Sequence, residues 1–167
     1  DRLPLIDSVQ KLREWRMFTP QVPPHKVLPL DSAALSGAGQ NKTAQFFKGC
    51  VMDVFYNDVN NAALRVLNRT GTSCHIGAQT CCGALAFHAG DEDIALNLAR
   101  QNINYFSATD GDIVVTSAGC GAILKSYGHI LANDPVYADK ARAFASRVKD
   151  FSEAIDPQQL KNSLIKD

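Results

Sequence analysis

The sequence between residues 112 and 131 reads DIVVTSAGCGAILKSYGHIL and contains two different hydrophobic patterns. Its first five residues, DIVVT, are largely apolar and β-branched, which is typical of a buried strand. After the small residues of SAGCG, apolar side chains recur at helical spacing and predict an amphipathic helix. Those side chains are Ile123, Leu124, Tyr127, Ile130 and Leu131. The stretch therefore predicts a strand, a loop that ends near Cys120, and a helix.

The same alternation of strand and helix is predicted upstream and downstream. Short apolar segments predict strands at Phe46–Met52 and Thr72–Ile76. Three further amphipathic helices are predicted from apolar residues at helical spacing. Their apolar faces are Val59, Ala62, Ala63, Val66 and Leu67; Ile94, Ala95, Leu98, Ala99, Ile103 and Phe106; and Val136, Ala141, Phe144 and Val148. The residues predicted to open them are, in order, Asn57 or Asp58, Asp91, and Asp134 with Pro135.

Strands that alternate with helices predict an α/β fold, here a Rossmann-like parallel sheet flanked by helices. The chain divides into three predicted segments. Residues 1–44 are expected to hold an N-terminal helix and a linker, because five of the seven prolines lie in the first 30 residues. Residues 45–156 form a single cysteine-rich domain, and residues 157–167 form a C-terminal helical tail.

The composition excludes several classes of function. The 167 residues are 46% hydrophobic and 20% charged, which suffices for one core, and the formal net charge is zero. A neutral chain has no basic surplus for binding nucleic acid or an acidic membrane surface. No apolar run approaches the roughly 18 residues of a membrane span, and the N-terminal residues do not resemble a signal peptide. The odd number of cysteines argues against a disulfide framework, and reduced thiols are typical of the cytosol. We therefore predict a cytoplasmic protein without a transmembrane segment, peripheral to the inner membrane only through partners.

Four of the five cysteines are predicted to meet at one place. Cys50 ends the first predicted strand, Cys81 and Cys82 follow the second, and Cys120 follows the third. In open α/β sheets the loops after parallel strands gather at the carboxyl edge, where ligands bind. The remaining cysteine, Cys74, lies within the second strand and is predicted to stand apart from this site as a packing residue.

Converging thiols suit soft metals, either a tetrahedral zinc ion or an iron–sulfur cluster. The zinc-finger spacing C-x2-C is missing, and the adjacent Cys81 and Cys82 favour a centre with several irons, since neighbouring thiolates can bind different irons. A helix that starts at Cys120 would stabilise negative charge there. Glycines flank the thiols and would let backbone N–H groups approach a cluster: Gly49, Gly83, Gly119 and Gly121. The alternative is that buried cysteines are ordinary packing residues.

The spacing of these residues resembles a known family. Cys50 is followed after 30 residues by Cys81-Cys82-Gly83, and after another 33 residues by Ser117-Ala118-Gly119-Cys120. This pattern resembles the CCG cysteine-rich domain of heterodisulfide reductase B subunits and of the iron–sulfur subunits of glycolate oxidase and lactate-utilisation complexes. The phrases GCVMDVFYNDVNNA, CCGALAFHAGD and SAGCGAILKSYGHIL look most like the glycolate oxidase iron–sulfur subunit.

The resemblance implies a set of cluster ligands, namely Cys50, Cys81, Cys82 and Cys120. Where the reductase form has the first cysteine of a C-x-x-C pair, this sequence has Ser117. Four thiols instead of five make a conventional [4Fe-4S] cluster the natural cofactor, with zinc as the alternative. Gly83, Ser117 and His88 are expected beside the ligands.

The function implied by the resemblance is electron transfer. The chain would be an iron–sulfur subunit, or a fragment of one, in a glycolate oxidase or other 2-hydroxy-acid dehydrogenase complex. Its partners would be a flavin-containing dehydrogenase subunit, which carries FAD, and other iron–sulfur segments. The chain itself lacks a dinucleotide fingerprint after a strand, so we do not expect it to be catalytic alone. Two alternatives stay open: a cluster domain that reduces disulfides, and a zinc-bearing structural scaffold.

Overall fold

The computed structural model describes residues 42–164. Of the helix and linker predicted within residues 1–44, residues 1–41 lie outside this range, and residues 42–44 belong to a strand instead of a linker. Four strands form one sheet in the order β2-β1-β3-β4, and every neighbouring pair is parallel. The strands are β1 (Lys42–Phe47), β2 (Thr72–His75), β3 (Asp112–Val115) and β4 (Val148–Asp150). The predicted α/β class with a parallel sheet is therefore confirmed.

Eight helices connect and follow these strands within the described range. They are α1 (Cys50–Phe55), α2 (Asn57–Arg69), α3 (Ala84–His88), α4 (Glu92–Ser107), α5 (Ala118–Ile130), α6 (Ala138–Arg147), α7 (Phe151–Ala154) and α8 (Pro157–Leu164). The predicted cap of α4 is confirmed, because the Asp91 carboxylate accepts a hydrogen bond from the Ile94 amide. None of the helices in residues 42–164 is long and apolar enough to cross a membrane.

The sheet has a separate apolar core on each face, because successive side chains of a strand point to opposite sides. Phe46 and Val114 pack on one face against Leu64 of α2. Phe47 and Val115 pack on the other face against α4, α5 and α6. All five side chains are fully buried, and each contributes about 1.5–3 kcal/mol to folding. The central strands β1 and β3 are thus packed on both faces where they approach their carboxyl ends.

The predicted strand Phe46–Met52 is misplaced. The strand β1 begins at Lys42 and ends before Gly49, whose φ of 71° lies in the left-handed region that other residues avoid. The chain turns out of the sheet at that point, and the Asp53 amide donates to the Gly49 carbonyl to open α1. Cys50 consequently begins a helix instead of ending a strand.

The C-terminal part of the predicted fold also needs correction. Val148, predicted on a helix, begins the edge strand β4 and pairs with Ile113. The preceding helix begins at Ala138 and not at Asp134, because the Asp134 carboxylate accepts hydrogen bonds from the amides of Val136 and Tyr137 and holds a turn there. Val136 is accordingly exposed and does not join the core.

The buried face of α2 is rotated from its predicted position, whereas most of the predicted face of α4 is buried, including Ala99, Ile103 and Phe106. In α2, Val59 is 44% exposed and Ala62 is exposed, while Asn60 and Asn61 are buried. The N-terminus of α2 also has no side-chain cap, so the predicted capping by its first two residues is wrong. In α4, Ile94 is 52% exposed in the first turn. Asn60 is buried because its side chain forms hydrogen bonds with Lys48 and Thr116 at the strand ends.

Candidate metal centre

The predicted cysteine loops surround the carboxyl ends of the two central strands. Because β2 lies on one side of β1 and β3 on the other, the strand order reverses between β1 and β3. Crevices at such reversal points are where open α/β sheets bind ligands. Cys50 follows β1 and Cys120 follows β3, and a methyl group added to Gly49 would lie 3.5 Å from Cys120 Sγ. The two loops therefore touch.

The four cysteines predicted at this edge form two pairs of free thiols. The Sγ atoms of Cys50 and Cys81 are 3.5 Å apart, and those of Cys82 and Cys120 are 3.2 Å apart. Cys74 is buried in the core on the opposite face of the sheet from Cys82. The structure thus brings together the four predicted residues and separates the fifth from them.

The two pairs differ in their access to solvent. Cys50 is exposed, Cys81 and Cys120 are half-buried, and Cys82 is 3% exposed within the core that α4 and α5 cover. The site consequently has an outer side at Cys50 and an inner side at Cys82.

A hydrogen bond within the inner pair shifts the pKa values of its two thiols in opposite directions. The Cys82 thiol donates to Cys120 Sγ, and this bond, helped by a hydrogen bond from the Ser117 side chain, lowers the pKa of Cys120 to about 6. The same bond, together with burial, raises the pKa of Cys82. In the outer pair, burial and the neighbouring Cys81 raise the pKa of Cys50. At neutral pH the inner pair therefore carries a thiolate, which is the form that binds metals.

Backbone amides are directed at the sulfur atoms. The Gly83 amide donates to Cys81 Sγ over 3.5 Å, and the amides of Val51 and Ala84 hydrogen-bond to Cys50 and Cys82. Cys120 lies in the first turn of the thirteen-residue helix α5, whose N-terminal dipole favours negative charge. Such donors stabilise thiolates and the sulfides of a cluster.

Two amide side chains, the buried Asn60 and the half-buried Gln79, tie the cysteine loops to the strand ends. Asn60 donates to the Lys48 carbonyl (3.0 Å) and accepts from the Thr116 hydroxyl (2.8 Å), which joins the ends of β1 and β3. Gln79 donates to the Phe46 carbonyl (3.1 Å) and accepts from the Lys48 amide (3.0 Å), which fixes the loop after β2 across the end of β1. Neither residue was predicted as part of the site.

Two buried polar side chains, Asn102 and Tyr127, hydrogen-bond to the backbone of the adjacent cysteines from the core. Asn102 donates to the Cys81 carbonyl over 2.9 Å, and the Tyr127 hydroxyl donates to the Cys82 carbonyl over 2.7 Å. Tyr127 was predicted only as a core residue, and Asn102 was not singled out. A polar residue between the apolar positions of a helix, as Asn102 is in α4, was the available signal.

The three residues predicted beside the ligands occupy different surroundings. Gly83 is buried with a φ of 83° and donates to Cys81, and Ser117 precedes α5 and hydrogen-bonds Cys120. His88 is exposed at the end of α3, where its ring meets Phe87 edge-on at 5.9 Å.

The donor set was tested against the two candidate cofactors. Four thiolates are the ligand set that an iron–sulfur cluster requires. Within residues 42–164, no three His, Cys, Asp or Glu side chains are grouped as ligands of a single metal ion. A structural zinc ion needs four ligands around one point. The two thiol pairs therefore fit a centre with several irons better than a single zinc ion.

The fold and the site define the class of this protein: a cysteine-rich α/β domain with thiols at the strand reversal point. Residues 44–125 match the family model of the CCG cysteine-rich domain, and this part of the chain belongs to that family, as its motifs predicted.

Several curated proteins are similar over a longer stretch. The chain is 40% identical over 149 residues to the probable glycolate oxidase iron–sulfur subunit of Bacillus subtilis, covering 87% of this chain and 34% of that protein. It is 35% identical to the glycolate oxidase iron–sulfur subunit of Escherichia coli, covering 71% of this chain and 30% of that protein. It is 36% identical to lactate utilization protein A of Geobacillus thermodenitrificans, covering 64% of this chain and 45% of that protein.

The chain spans between about a third and a half of the length of these relatives. No solved structure is significantly similar to it.

Proposed function

We propose that this chain is an iron–sulfur electron-transfer segment of a complex that oxidises glycolate or a related 2-hydroxy acid. The observation that carries the proposal is the meeting of four thiols, from three separate loops, at the strand reversal point. The names of the similar proteins, glycolate oxidase iron–sulfur subunits and a lactate utilization protein, support the same reading.

In this proposal Cys50, Cys81, Cys82 and Cys120 hold a [4Fe-4S] cluster. When bound, such a cluster accepts and releases single electrons. The residues of this chain would direct amide N–H groups at the sulfur atoms and shield the inner pair from water, and the hydrogen bond from Ser117 would favour the thiolate form of Cys120. Cys50 and the neighbouring Val51 are exposed, so this side of the site is the one a partner can approach.

The chemical oxidation would take place on a partner. Removal of a hydride from a 2-hydroxy acid needs a two-electron acceptor such as a flavin, and this sequence has no dinucleotide fingerprint after a strand. We therefore assign FAD and the hydroxy-acid site to a separate subunit. Free thiols and a cluster suit a reducing compartment, so we also propose that the chain works in the cytoplasm.

Analysis of iron and acid-labile sulfide after anaerobic purification tests this proposal. We expect a brown protein with about four irons and four sulfides per chain. A colourless protein that contains one zinc ion would contradict it and support the scaffold alternative. We also expect no oxidation of glycolate by the purified chain with a dye acceptor, and turnover under these conditions would overturn the assignment of the flavin to a partner.

One observation favours a second candidate, the reduction of disulfides. The Cys120 thiolate and the Cys82 thiol are 3.2 Å apart, which is the arrangement of an attacking and a resolving thiol. If the chain reduces disulfides, the anaerobic protein should convert a small disulfide to two thiols with a reduced dye as electron donor. Reduction no faster than with the dye alone would exclude it.

A further inference from the structure

The two adjacent cysteines have both of their carbonyl groups turned into the protein interior. The Cys81 carbonyl accepts from Asn102 Nδ2 at 2.9 Å, and the Cys82 carbonyl accepts from the Tyr127 hydroxyl at 2.7 Å. Asn102 is 0% exposed and Tyr127 is 1% exposed. Two neighbouring backbone carbonyls that both bond to buried side chains fix the orientation of this part of the loop.

Other contacts hold the two supporting side chains in place. Asn102 Nδ2 also approaches the Tyr127 hydroxyl at 3.3 Å, and Asn102 Oδ1 accepts from the Thr80 amide at 3.1 Å. The Tyr127 ring stacks on Phe144 with centroids 5.2 Å apart. A buried network in which each polar group has a partner is rigid, because an unpaired member would be costly in the low-dielectric interior.

The geometry of the peptide unit transmits this support to the sulfur atoms. The Cys82 carbonyl and the Gly83 N–H belong to one planar trans peptide, so they point in opposite directions. With the carbonyl bonded inward to Tyr127, the Gly83 N–H faces outward and donates to Cys81 Sγ at 3.5 Å. Rotation of this peptide would turn the carbonyl, with its negative end, toward the thiols.

We propose that Tyr127, whose hydroxyl Asn102 contacts, is a positioning residue that aims the Gly83 amide at Cys81 and thereby raises the reduction potential of the site. The inference rests on the proposed function, since a potential can be measured only when a cluster is bound. Hydrogen bonds to sulfur stabilise the reduced form, which carries the additional negative charge, and are among the factors that set cluster potentials.

The substitution Tyr127→Phe tests the proposal because it removes the donor and keeps the ring on Phe144. Its matched control is Tyr137→Phe, which removes a hydroxyl that accepts from Asn104 on the surface. Each protein is reconstituted anaerobically, and its midpoint potential is measured by redox titration. We expect a more negative potential in Tyr127→Phe and an unchanged one in Tyr137→Phe. A Tyr127→Phe protein with full iron and the original potential would overturn the proposal.

A second measurement needs no cluster and separates this inference from the proposed function. In the metal-free protein, hydrogen exchange of the Gly83 amide is followed by NMR with the β3 amides as an internal reference. We expect Gly83 to exchange at least several-fold faster in Tyr127→Phe, with β3 exchange unchanged. Equal Gly83 exchange in the wild-type and Tyr127→Phe proteins would overturn the positioning role. A wild-type chain that takes up no iron would instead contradict the proposed function alone.

Discussion

The Sγ atoms of Cys82 and Cys120 lie 3.2 Å apart, although the two residues are 38 positions apart in the sequence and their loops follow strands that are not neighbours in the sheet. Cys82 follows β2 and Cys120 follows β3, with β1 between the two strands. The loop after β2 therefore crosses the end of β1 to reach Cys120. Gln79, bonded to the Phe46 carbonyl and the Lys48 amide, holds the loop on this path.

This role of Gln79 leads to the first prediction. The substitution Gln79→Ala leaves a backbone amide and a carbonyl at the end of β1 without their partner, which we expect to lower the free energy of unfolding by about 1–3 kcal/mol. The loop with Cys81 and Cys82 should also become mobile, so a bound cluster should lose iron to a chelator faster. Gln101→Ala, at an exposed position of α4, is the control for both measurements. Equal rates of iron release in the two variants would refute the crossing-loop account.

The second prediction concerns the two glycines that precede cysteines. Gly49 has a φ of 71°, so Gly49→Ala should destabilise the fold by about 1–3 kcal/mol and place a methyl group against Cys120 Sγ. Gly119 lies in α5 without a positive φ and with open space around its Cα, so Gly119→Ala should be neutral or stabilise the fold by up to about 1 kcal/mol. Urea denaturation of the metal-free proteins compares the two, and similar losses in both would show that the conformation of Gly49 is not required.

A pH dependence follows from the burial of Cys74, which raises the pKa of its thiol from 9.0 to about 12. Above pH 9 the unfolded chain releases this proton and the folded chain retains it. The contribution of the Cys74 thiol to the free energy of unfolding is therefore fully present below pH 9. It falls by about 1.4 kcal/mol per pH unit as the pH rises toward 12.

The control for this effect is Cys74→Ala, which should lose about 1 kcal/mol at neutral pH and show a shallower alkaline decline. Chemical denaturation of both metal-free proteins at about pH 8 and about pH 10 measures the difference. Parallel declines in the two proteins would show that Cys74 is not the group responsible.

Some elements of the fold can be predicted from the sequence, and others cannot. The strand β3 and the helix α5 follow from local pattern alone, because Ile113, Val114 and Val115 form an uninterrupted apolar β-branched run and the subsequent helix has regular apolar spacing. The strand β4 does not, since Val148 continues the helical spacing of α6 and only pairing with Ile113 makes it a strand. The end of β1 was misplaced because the apolar Val51 and Met52 resemble a continued strand, and the turn at Gly49 depends on its backbone angle.

The candidate site shows the same division. Chain order and parallel topology were enough to bring the four cysteines to one edge and to set Cys74 apart. The order of strands, the pairing of thiols and the supporting side chains could not be derived, because they depend on contacts between residues distant in sequence. Asn60 is the clearest case: its buried amide joins two strand ends, and this turns the apolar face of α2 away from the one predicted.

The iron content of five single Cys→Ala variants after anaerobic reconstitution tests the central claim most directly. If the four paired thiols hold the cluster, Cys50→Ala, Cys81→Ala, Cys82→Ala and Cys120→Ala should each lose most of the iron and of the visible absorbance, because one iron would lack its ligand. Cys74→Ala, which changes only the packing behind the sheet, should keep about four irons per chain. A full cluster in Cys82→Ala, or a Cys74→Ala protein as depleted as the other four, would contradict the account.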